Sequence, residues 1–385
     1  MAHLRFLIPA LPAGTPDGTL FLTGEHRGWS SDPEGWTFEQ NGEGAMLDAE
    51  VPAGTLLGVK VRLRRPDGEV LEEGDPWGGR APAHTLTVLE EGGVFPLDLQ
   101  GWQAPDDMPA RPSRSAPPRE EWTLPAPWGE QTVRLWWPSG HDGRELPLLI
   151  LHDGQNVFDE APTFSGQSWQ AGEAAQALAD AGHPCLIAAL SVNAERSRRY
   201  VPFPIDLNAY DPGADEYLDW IGAELLPALE QSFGRVAPSR RAMAGSSFGG
   251  LVTLYAGLRN PGGFGTLGVL SPAVWPDDFA VRRWMEGRAA PLTRVWLDMG
   301  DHEAHTVGQA AEMVRLTHDL AEQLRLLVRE VHVTIGEGHW HDEAAWAARF
   351  PAFLAWWLRG LNGPARLGHD ASPVEADPVD LGLRP

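Results

Sequence analysis

Cysteine and long apolar runs are nearly absent from this sequence. Its 385 residues include a single cysteine, Cys185, which excludes an intrachain disulfide. Because Cys185 lies in the apolar run 184–190, we expect it in a buried strand of a protein from a reducing compartment. No run approaches the length of a membrane span, and the apolar stretch within residues 1–9 is too short for a secretion signal. These absences predict a cytoplasmic protein without a membrane partner.

Positive charge is also scarce. The chain has 30 Lys and Arg residues against 53 Asp and Glu, which gives a formal net charge of −23. Such a charge repels nucleic acids and anionic membranes at long range, so we expect neither as a partner. A hydrophobic content of 43% is sufficient for a buried core, and the length favours two domains.

The residue pattern divides the chain into four segments. Residues 1–102 carry short apolar runs separated by turn signals and predict an all-β domain. Residues 103–120 are rich in proline and predict an extended linker. In residues 121–361 strand-like and helix-like runs alternate, which predicts an α/β domain with a mainly parallel sheet covered by helices on both faces. Residues 362–385 lack periodicity and predict a disordered tail. The predicted strands of the α/β domain are 132–137, 147–151, 184–190, 266–270, 293–297 and 330–335, and its predicted helices are 214–233, 306–327 and 343–358.

A G-x-S-x-G motif occupies residues 245–249, which read Gly-Ser-Ser-Phe-Gly. It stands between the strand-like run 240–244 and the helix-like run 251–258. In α/β-hydrolases this motif is a tight strand-to-helix turn that lifts a serine Oγ above the sheet edge. The context therefore predicts Ser247 as a catalytic nucleophile.

Two later loops offer partners for this serine. A serine hydroxyl needs a base to take its proton and a third group to orient that base, and in this fold the acid precedes the histidine. Asp301 and Glu303 are the candidate acids in the first loop, and His339 and His341 are the candidate bases in the second. The residue pattern alone leaves both choices open.

Five stretches of the chain form a jointly specific set: residues 152–158, 224–227, 245–250, 271–276 and 341–346. With them, the chain from residue 122 to about residue 361 resembles the esterase D and enterochelin (siderophore) esterase branch of the α/β-hydrolases. The resemblance implies a serine carboxylic ester hydrolase that needs no cofactor.

The resemblance also implies roles for individual residues of the triad. In similar esterases the catalytic histidine stands five residues before a tryptophan that opens the last helix, as His341 does before Trp346. His339 lies two residues too early for that spacing. A glycine followed three residues later by a carboxylate, as in 300–303, implies Glu303 as the acid, with Asp301 as the alternative.

The oxyanion of the tetrahedral intermediate needs hydrogen-bond donors that are already in place. We expect one donor to be the backbone N–H of Phe248, directly after the nucleophile. The second is expected from the loop 153–155, at the backbone N–H of Gly154 or Gln155. Alternatively, Gly154 only relieves strain in a strand-to-loop turn.

The loop that contains Arg196 and Arg198 is similar to an Arg-Ser-Arg stretch of siderophore esterases. Guanidinium groups suit an anionic catecholate or carboxylate because they stay charged and bond in a planar fork. We expect both arginines to bind substrate, together with Asp153 and Trp275. The alternative is a surface loop whose arginines are paired with nearby acids.

A metal site is a further alternative. The zinc-ligand types present in these loops are His302, Glu303, His305, His339 and His341. No known zinc spacing is matched, and the serine motif explains the histidine loop better, so we expect no metal.

The N-terminal segment resembles the immunoglobulin-like β-sandwich of glycogen- and starch-binding domains. The matching pieces are residues 20–24, 28–29, Trp36, 85–88 and 101–102. Exposed tryptophans there could stack on sugar rings, although Trp29, Trp36, Trp77 and Trp102 could equally pack in a core or between domains. A roof over the active site is a third possibility.

Taken together, the sequence predicts a two-domain esterase that acts through an acyl-enzyme on a small-molecule ester. A siderophore trilactone, including its ferric form, is favoured by the arginine loop. A feruloyl or acetyl ester on a carbohydrate is favoured by the sugar-binding-like domain. A glucan-binding protein with a degenerate hydrolase domain is a rival of another class, and the intact serine and histidine motifs argue against it. The sequence does not specify an oligomeric state.

Overall fold

A computed structural model describes residues 1–104, 115–160, 163, 165–192, 195–204 and 212–361. The strands are β1 (Ala2–Ile8), β2 (Thr19–Gly24), β3 (Glu39–Asn41), β4 (Gly44–Val51), β5 (Leu56–Arg64), β6 (Val70–Gly74), β7 (His84–Thr87), β8 (Gly93–Pro96), β9 (Gly101–Trp102), β10 (Glu120–Ala126), β11 (Gly129–Trp136), β12 (Leu148–His152), β13 (Leu186–Leu190), β14 (Arg241–Ser246), β15 (Thr266–Leu270), β16 (Ala290–Gly300) and β17 (Val328–Gly336). The helices are α1 (Ala171–Asp180), α2 (Arg196–Tyr200), α3 (Ala214–Trp220), α4 (Leu226–Phe233), α5 (Phe248–Arg259), α6 (Pro276–Trp284), α7 (Val307–Arg325) and α8 (Glu343–Leu361).

One eight-stranded sheet organises the C-terminal part of the chain. Its strand order is β10-β11-β13-β12-β14-β15-β16-β17. β10, β11 and β13 pair antiparallel, and every later pair along the sheet is parallel. The carboxyl ends of β12, β14, β15, β16 and β17 therefore meet at one edge, where ligands bind in open α/β sheets.

The central strands of this sheet, β12, β13, β14 and β15, are buried on both faces, to which their successive side chains point in alternation. On β12, Leu148 and Ile150 join a core that contains side chains of α3, α4 and α5. Leu149 and Leu151 join a second core against α1 and α8. The continuous apolar composition of these strands is thus explained by helices on both sides.

The N-terminal part is built from strands alone, apart from one short 3-10 turn. One sheet has the order β3-β4-β1-β8, and the other contains β2, β5, β6, β7 and β9. Alternate residues of β1, such as Phe6 and Ile8, share one core with Leu22 and Val61 of the other sheet. The arrangement agrees with a β-sandwich, while an immunoglobulin-like topology stays a prediction.

The predicted alternation of strands and helices is confirmed for residues 121–361, with two qualifications. The sheet is mixed, because β10 and β11 form an antiparallel edge. The helix predicted over 214–233 includes a π-helical segment, Ile221–Leu225, between α3 and α4. Most of the predicted linker and the whole predicted tail lie outside the described residues, so the domain boundaries stay predictions. In the described part of the chain, no helix is long and apolar enough to cross a membrane.

Candidate active site

Ser247 occupies the turn between β14 and α5. Its backbone has φ 56° and ψ −122°, a conformation that non-glycine residues rarely adopt. The turn is held by a hydrogen bond from Ser247 N to Leu270 O of 3.1 Å and by one from Leu251 N to Ser247 O of 3.0 Å. This strand-turn-helix geometry is the one the G-x-S-x-G motif predicts.

Small residues around Ser247 are required by close backbone approach. A Cβ built on Gly245 would lie 2.8 Å from the carbonyl carbon of Gly249 and 2.9 Å from His152 Cδ2. A Cβ on Gly250 would lie 2.7 Å from Leu270 O. Any larger residue at these two positions would push the turn apart.

His341 lies in the loop after β17, and its imidazole meets Glu303 from the loop after β16. The distance between His341 Nδ1 and Glu303 Oε2 is 2.7 Å. The His341 side chain is 44% exposed, while that of Glu303 is 1% exposed. The ring of Trp346 packs edge-on against His341, with centroids 5.0 Å apart. The histidine is therefore anchored on its Nδ1 side and open to solvent elsewhere.

The second carboxylate oxygen of Glu303 is also fully engaged. Oε1 accepts hydrogen bonds from Ser271 Oγ at 2.7 Å, Gly300 N at 2.6 Å and Arg349 Nη2 at 3.1 Å. Burial by itself raises the pKa of this carboxyl, but the hydrogen bond to His341 and the charges of His341 and Arg349 outweigh it and hold the pKa below its usual range. Glu303 is thus kept ionised.

Arg349 is a site residue that the sequence reasoning missed. It lies on α8 and is buried, with Nε 3.1 Å from Asp298 Oδ1 and Nη2 2.7 Å from Ser271 Oγ. Asp298 is fully buried, and that burial raises its pKa to about 6 even though Arg349 and Trp296 lower it. The available signal was an arginine within the apolar pattern of the last helix, which indicates a buried ion pair.

The alternative acid and base have other partners. Asp301 Oδ1 lies 2.6 Å from His302 Nδ1 and accepts a hydrogen bond from Gly338 N at 2.7 Å. His339 Nδ1 lies 3.1 Å from Arg349 Nη1, and burial together with the Arg349 charge lowers the pKa of this histidine. Neither of these contacts involves His341.

The loop after β12 holds the predicted oxyanion donors. Asp153 has a left-handed backbone (φ 55°), and residues 154–156 form a short 3-10 turn. A Cβ on Gly154 would lie 2.7 Å from the backbone carbonyl of Ala189, so glycine is required there whatever its catalytic role. Gln155 Oε1 accepts a hydrogen bond from Val192 N at 3.0 Å, which ties this loop to the segment after β13. Phe248 is the first residue of α5, where backbone N–H groups are free of intrahelical partners.

Below this loop lies a buried polar chain. Asp153 N donates to Tyr200 Oη at 3.0 Å, and Tyr217 Oη lies 2.8 Å from His152 Nδ1. Burial lowers the pKa of His152 to about 3, so its imidazole is neutral. His152 is therefore a structural support of the turn rather than a second base.

The arginine side chains of this loop contact other side chains of the protein. Arg196 forms a fork with Asp153, with both N–O distances 2.7 Å, so two of the predicted substrate-binding residues bind each other. Arg199 is buried over the Trp128 ring. Arg198 is the most exposed of the three, with a 4.0 Å ion pair to Glu216.

An aromatic surface adjoins the nucleophile. The rings of Phe248 and Trp275 are 5.7 Å apart, and Arg196 Cζ lies 5.8 Å from the Phe248 ring. Trp275 is 43% exposed. A flat apolar group of a substrate could pack here beside Ser247.

Two of the candidate zinc ligands, His302 and His305, have partners other than the Glu303–His341 pair. His302 pairs with Asp301, while His305 lies 3.4 Å from Glu25 of the N-terminal part. Within the described ranges, no group of three or more His, Cys, Asp or Glu residues is placed to hold a metal ion.

Comparisons with known proteins identify the family of this chain. The family model described as "Putative esterase" matches residues 126–357, more than half of the chain. A siderophore enterobactin esterase of Emericella nidulans is 33% identical over 127 residues, 30% of this chain and 41% of the relative. The iron(III) enterobactin esterase of Dickeya dadantii is 26% identical over 288 residues, 66% of this chain and 61% of the relative. The chain thus spans less than two thirds of each of these curated relatives.

The fold similarity extends further along the chain than the family match. A crystal structure of the enterobactin esterase FES from Shigella flexneri superposes with a TM-score of 0.59 at 15% identity and covers 93% of both chains. At this identity the likeness is one of fold, and it includes the N-terminal strands. The family match and the siderophore esterase relatives lead to one conclusion: the chain belongs to the Esterase family, is a carboxylic ester hydrolase and resembles the enterochelin esterase branch.

Proposed function

We propose that this protein hydrolyses its ester through an acyl-enzyme, with Ser247 as nucleophile, His341 as base and Glu303 as the orienting acid. The observation that carries the proposal is the 2.7 Å contact of His341 Nδ1 with Glu303, at the sheet edge where Ser247 stands in its strained turn. A bond at Nδ1 leaves Nε2 as the nitrogen that takes the serine proton.

The steps follow from these positions. Ser247 Oγ attacks the ester carbonyl carbon while His341 Nε2 accepts the hydroxyl proton, and the carbonyl oxygen becomes an oxyanion. The backbone N–H groups of Phe248 and of Gly154 or Gln155 stabilise that oxyanion. Collapse breaks the ester C–O bond, and His341 returns the proton to the leaving alcohol. Water then repeats the sequence on the acyl-enzyme and releases the carboxylic acid.

Glu303 serves this cycle as a fixed anion. Its carboxylate accepts from His341 on one oxygen and is held by Arg349, Ser271 and Gly300 on the other. Because the carboxylate is almost fully buried, its charge is little screened when His341 becomes an imidazolium in the transition state.

For the substrate we propose a catecholate siderophore ester. Two relatives named as enterobactin esterases support this class. The exposed Trp275 beside Phe248 suits an aromatic ring, and Arg198 retains charge that a substrate anion could meet. Arg196 is expected to act through Asp153, by fixing the oxyanion loop, more than by direct substrate binding.

A hydrolysis screen tests the proposal. Purified protein is given a catecholate trilactone, the same trilactone loaded with iron, a feruloyl sugar ester and a neutral aryl acetate, and the products are identified by mass spectrometry. We expect the trilactone to have the highest kcat/KM. Cleavage of the feruloyl sugar without the trilactone would replace the siderophore substrate by a carbohydrate-linked ester, while cleavage of none would contradict the esterase mechanism itself.

A further inference from the structure

The N-terminal part of the chain contacts the loop that carries Glu303. We call residues 301–306 the acid loop and residues 52–55, between β4 and β5, the N-terminal turn. Leu56 N donates to His305 O at 2.9 Å, and Val307 N donates to Gly54 O at 2.9 Å. Thr55 and Thr306 form the antiparallel bridge between these two bonds. Two segments that are far apart in the sequence are thus joined by one antiparallel β-bridge and its two backbone hydrogen bonds.

The acid loop has a second anchor at its other end. Asp301 N donates to Gly336 O at 3.0 Å, and His302 N donates to His339 O at 3.1 Å. Glu303 therefore lies between an anchor on the histidine loop and an anchor on the N-terminal turn.

The N-terminal turn is also bonded to its own part of the chain. Gly54 N donates to Val88 O at 2.7 Å, and Val88 N donates to Thr55 O at 2.9 Å, which ties the turn to its own domain. The backbone of Gly54 has φ +80°, and a Cβ there would lie 3.3 Å from Val307 Cγ2. A side chain at residue 54 would therefore strain the backbone of the turn and press on Val307, directly after the acid loop.

We propose that the N-terminal turn is a positioning element for catalysis, which holds the acid loop so that Glu303 stays bonded to His341. This inference rests on the proposed triad. It gives the N-terminal domain a part in the chemical step that is separate from any contact with substrate. Displacements of about 1 Å far from the reacting atoms can cost about 100-fold in rate, so a tight anchor on this loop has a measurable effect.

Gly54→Ala in the full-length chain tests the proposal. The added methyl group strains the turn and presses on Val307, so we expect kcat for a neutral aryl acetate to fall about tenfold with KM within about twofold. Gly14→Ala is the matched control, because Gly14 has φ +79° and open space around its Cβ position. This control carries the same backbone strain of about 1–2 kcal/mol but should keep kcat within about twofold. Active-site titration with a fluorophosphonate corrects each kcat for unfolded protein.

Two further variants separate positioning from general damage. Val307→Ala removes the atom that the new methyl group meets, so the double variant Gly54→Ala/Val307→Ala should recover most of the lost kcat. In a Glu303→Gln background, Gly54→Ala should cause no further loss, because residues that act through one another are not additive.

The outcomes distinguish this inference from the triad. If Glu303→Gln lowers kcat strongly but Gly54→Ala behaves like Gly14→Ala, the positioning role is wrong and the triad stands. A full additional loss in the Glu303→Gln background would equally overturn the positioning role. If Glu303→Gln keeps the wild-type kcat, the triad is wrong and the inference falls with it.

Discussion

At the scale of single residues, three strained backbone positions lie at one edge of the sheet. Asp153, Ser247 and Ser271 each follow a neighbouring parallel strand, and each has a positive φ, of 55°, 56° and 40°. Strained residues persist where the surrounding structure holds them, and they cluster at functional sites. These three turns hold the oxyanion loop, the nucleophile and Ser271, which donates a hydrogen bond to Glu303, at the same edge of the sheet.

The two histidines of the last loop should differ sharply in function. We expect His341→Ala to lower kcat by about 10⁴-fold, because serine and base act as one unit. His339→Ala should cost less than about tenfold, since its contact is with Arg349 and its loss leaves the Glu303–His341 bond in place. Steady-state kinetics on a neutral aryl acetate measures both, and a larger loss for His339→Ala would contradict the assignment.

The two buried carboxylates beside Arg349 should affect stability in opposite directions as pH changes. Burial raises the pKa of Asp298 to about 6, so between about pH 4 and 6 the folded protein binds this proton more tightly than the unfolded chain, and the contribution of Asp298 falls as pH rises. The pKa of Glu303 is below its usual range, so its contribution is present above about pH 4 and is lost as pH falls through the lowered pKa.

Asp298→Asn isolates the first of these effects. The free energy of unfolding of this variant relative to wild type should rise between about pH 4 and 6, because only the wild type loses the Asp298 proton there. Urea unfolding at several pH values measures it. A difference between the two proteins that stays constant across this window would show that Asp298 titrates normally.

At the scale of elements, the short apolar runs predicted the parallel strands well, because a strand that is buried on both faces carries apolar side chains at successive positions. The antiparallel edge formed by β10 and β11 was not predicted. None of the residues of β10 is buried, so this strand lacks the apolar run that marks the central strands. The π-helical segment also leaves no clear trace in the residue pattern.

For the candidate site, the resemblance to known esterases was needed to choose Glu303 and His341, while local signals were enough only to predict Ser247 and two candidates each for the acid and the base. They were not enough for Arg349 or for the pairing of Arg196 with Asp153, because those contacts join residues that are far apart in the chain. Propensity and spacing describe neighbours in sequence, whereas buried ion pairs depend on how elements pack.

The oxyanion loop gives a prediction at this scale. Gly154→Ala would place a methyl group 2.7 Å from the Ala189 backbone, so the loop must move away from β13. We expect kcat to fall by at least about tenfold and the protein to lose about 1–3 kcal/mol of stability. Gly222→Ala is a suitable control, since its Cβ position is open and its backbone, like that of Gly154, lies outside the positive-φ region. Wild-type kcat in Gly154→Ala would show that the loop takes no part in catalysis.

At the scale of the whole molecule, the net charge of −23 opposes an anionic substrate. The field of the protein reaches about 30 Å at 0.01 M salt but only about 8 Å at 0.15 M salt. We therefore expect KM for a catecholate ester to fall as salt is added over this range, while KM for a neutral aryl acetate stays the same. A KM that rises with salt would instead show that the local arginine charges dominate.

The central claim is that Ser247 is the nucleophile, and covalent labelling tests it most directly. A fluorophosphonate should label the wild type once, at Ser247, as mapped by peptide mass spectrometry. Ser247→Ala should abolish the label and lower kcat by about 10⁴-fold or more, with an unchanged unfolding transition. Labelling at Ser246, or labelling and turnover that persist in Ser247→Ala, would contradict the account.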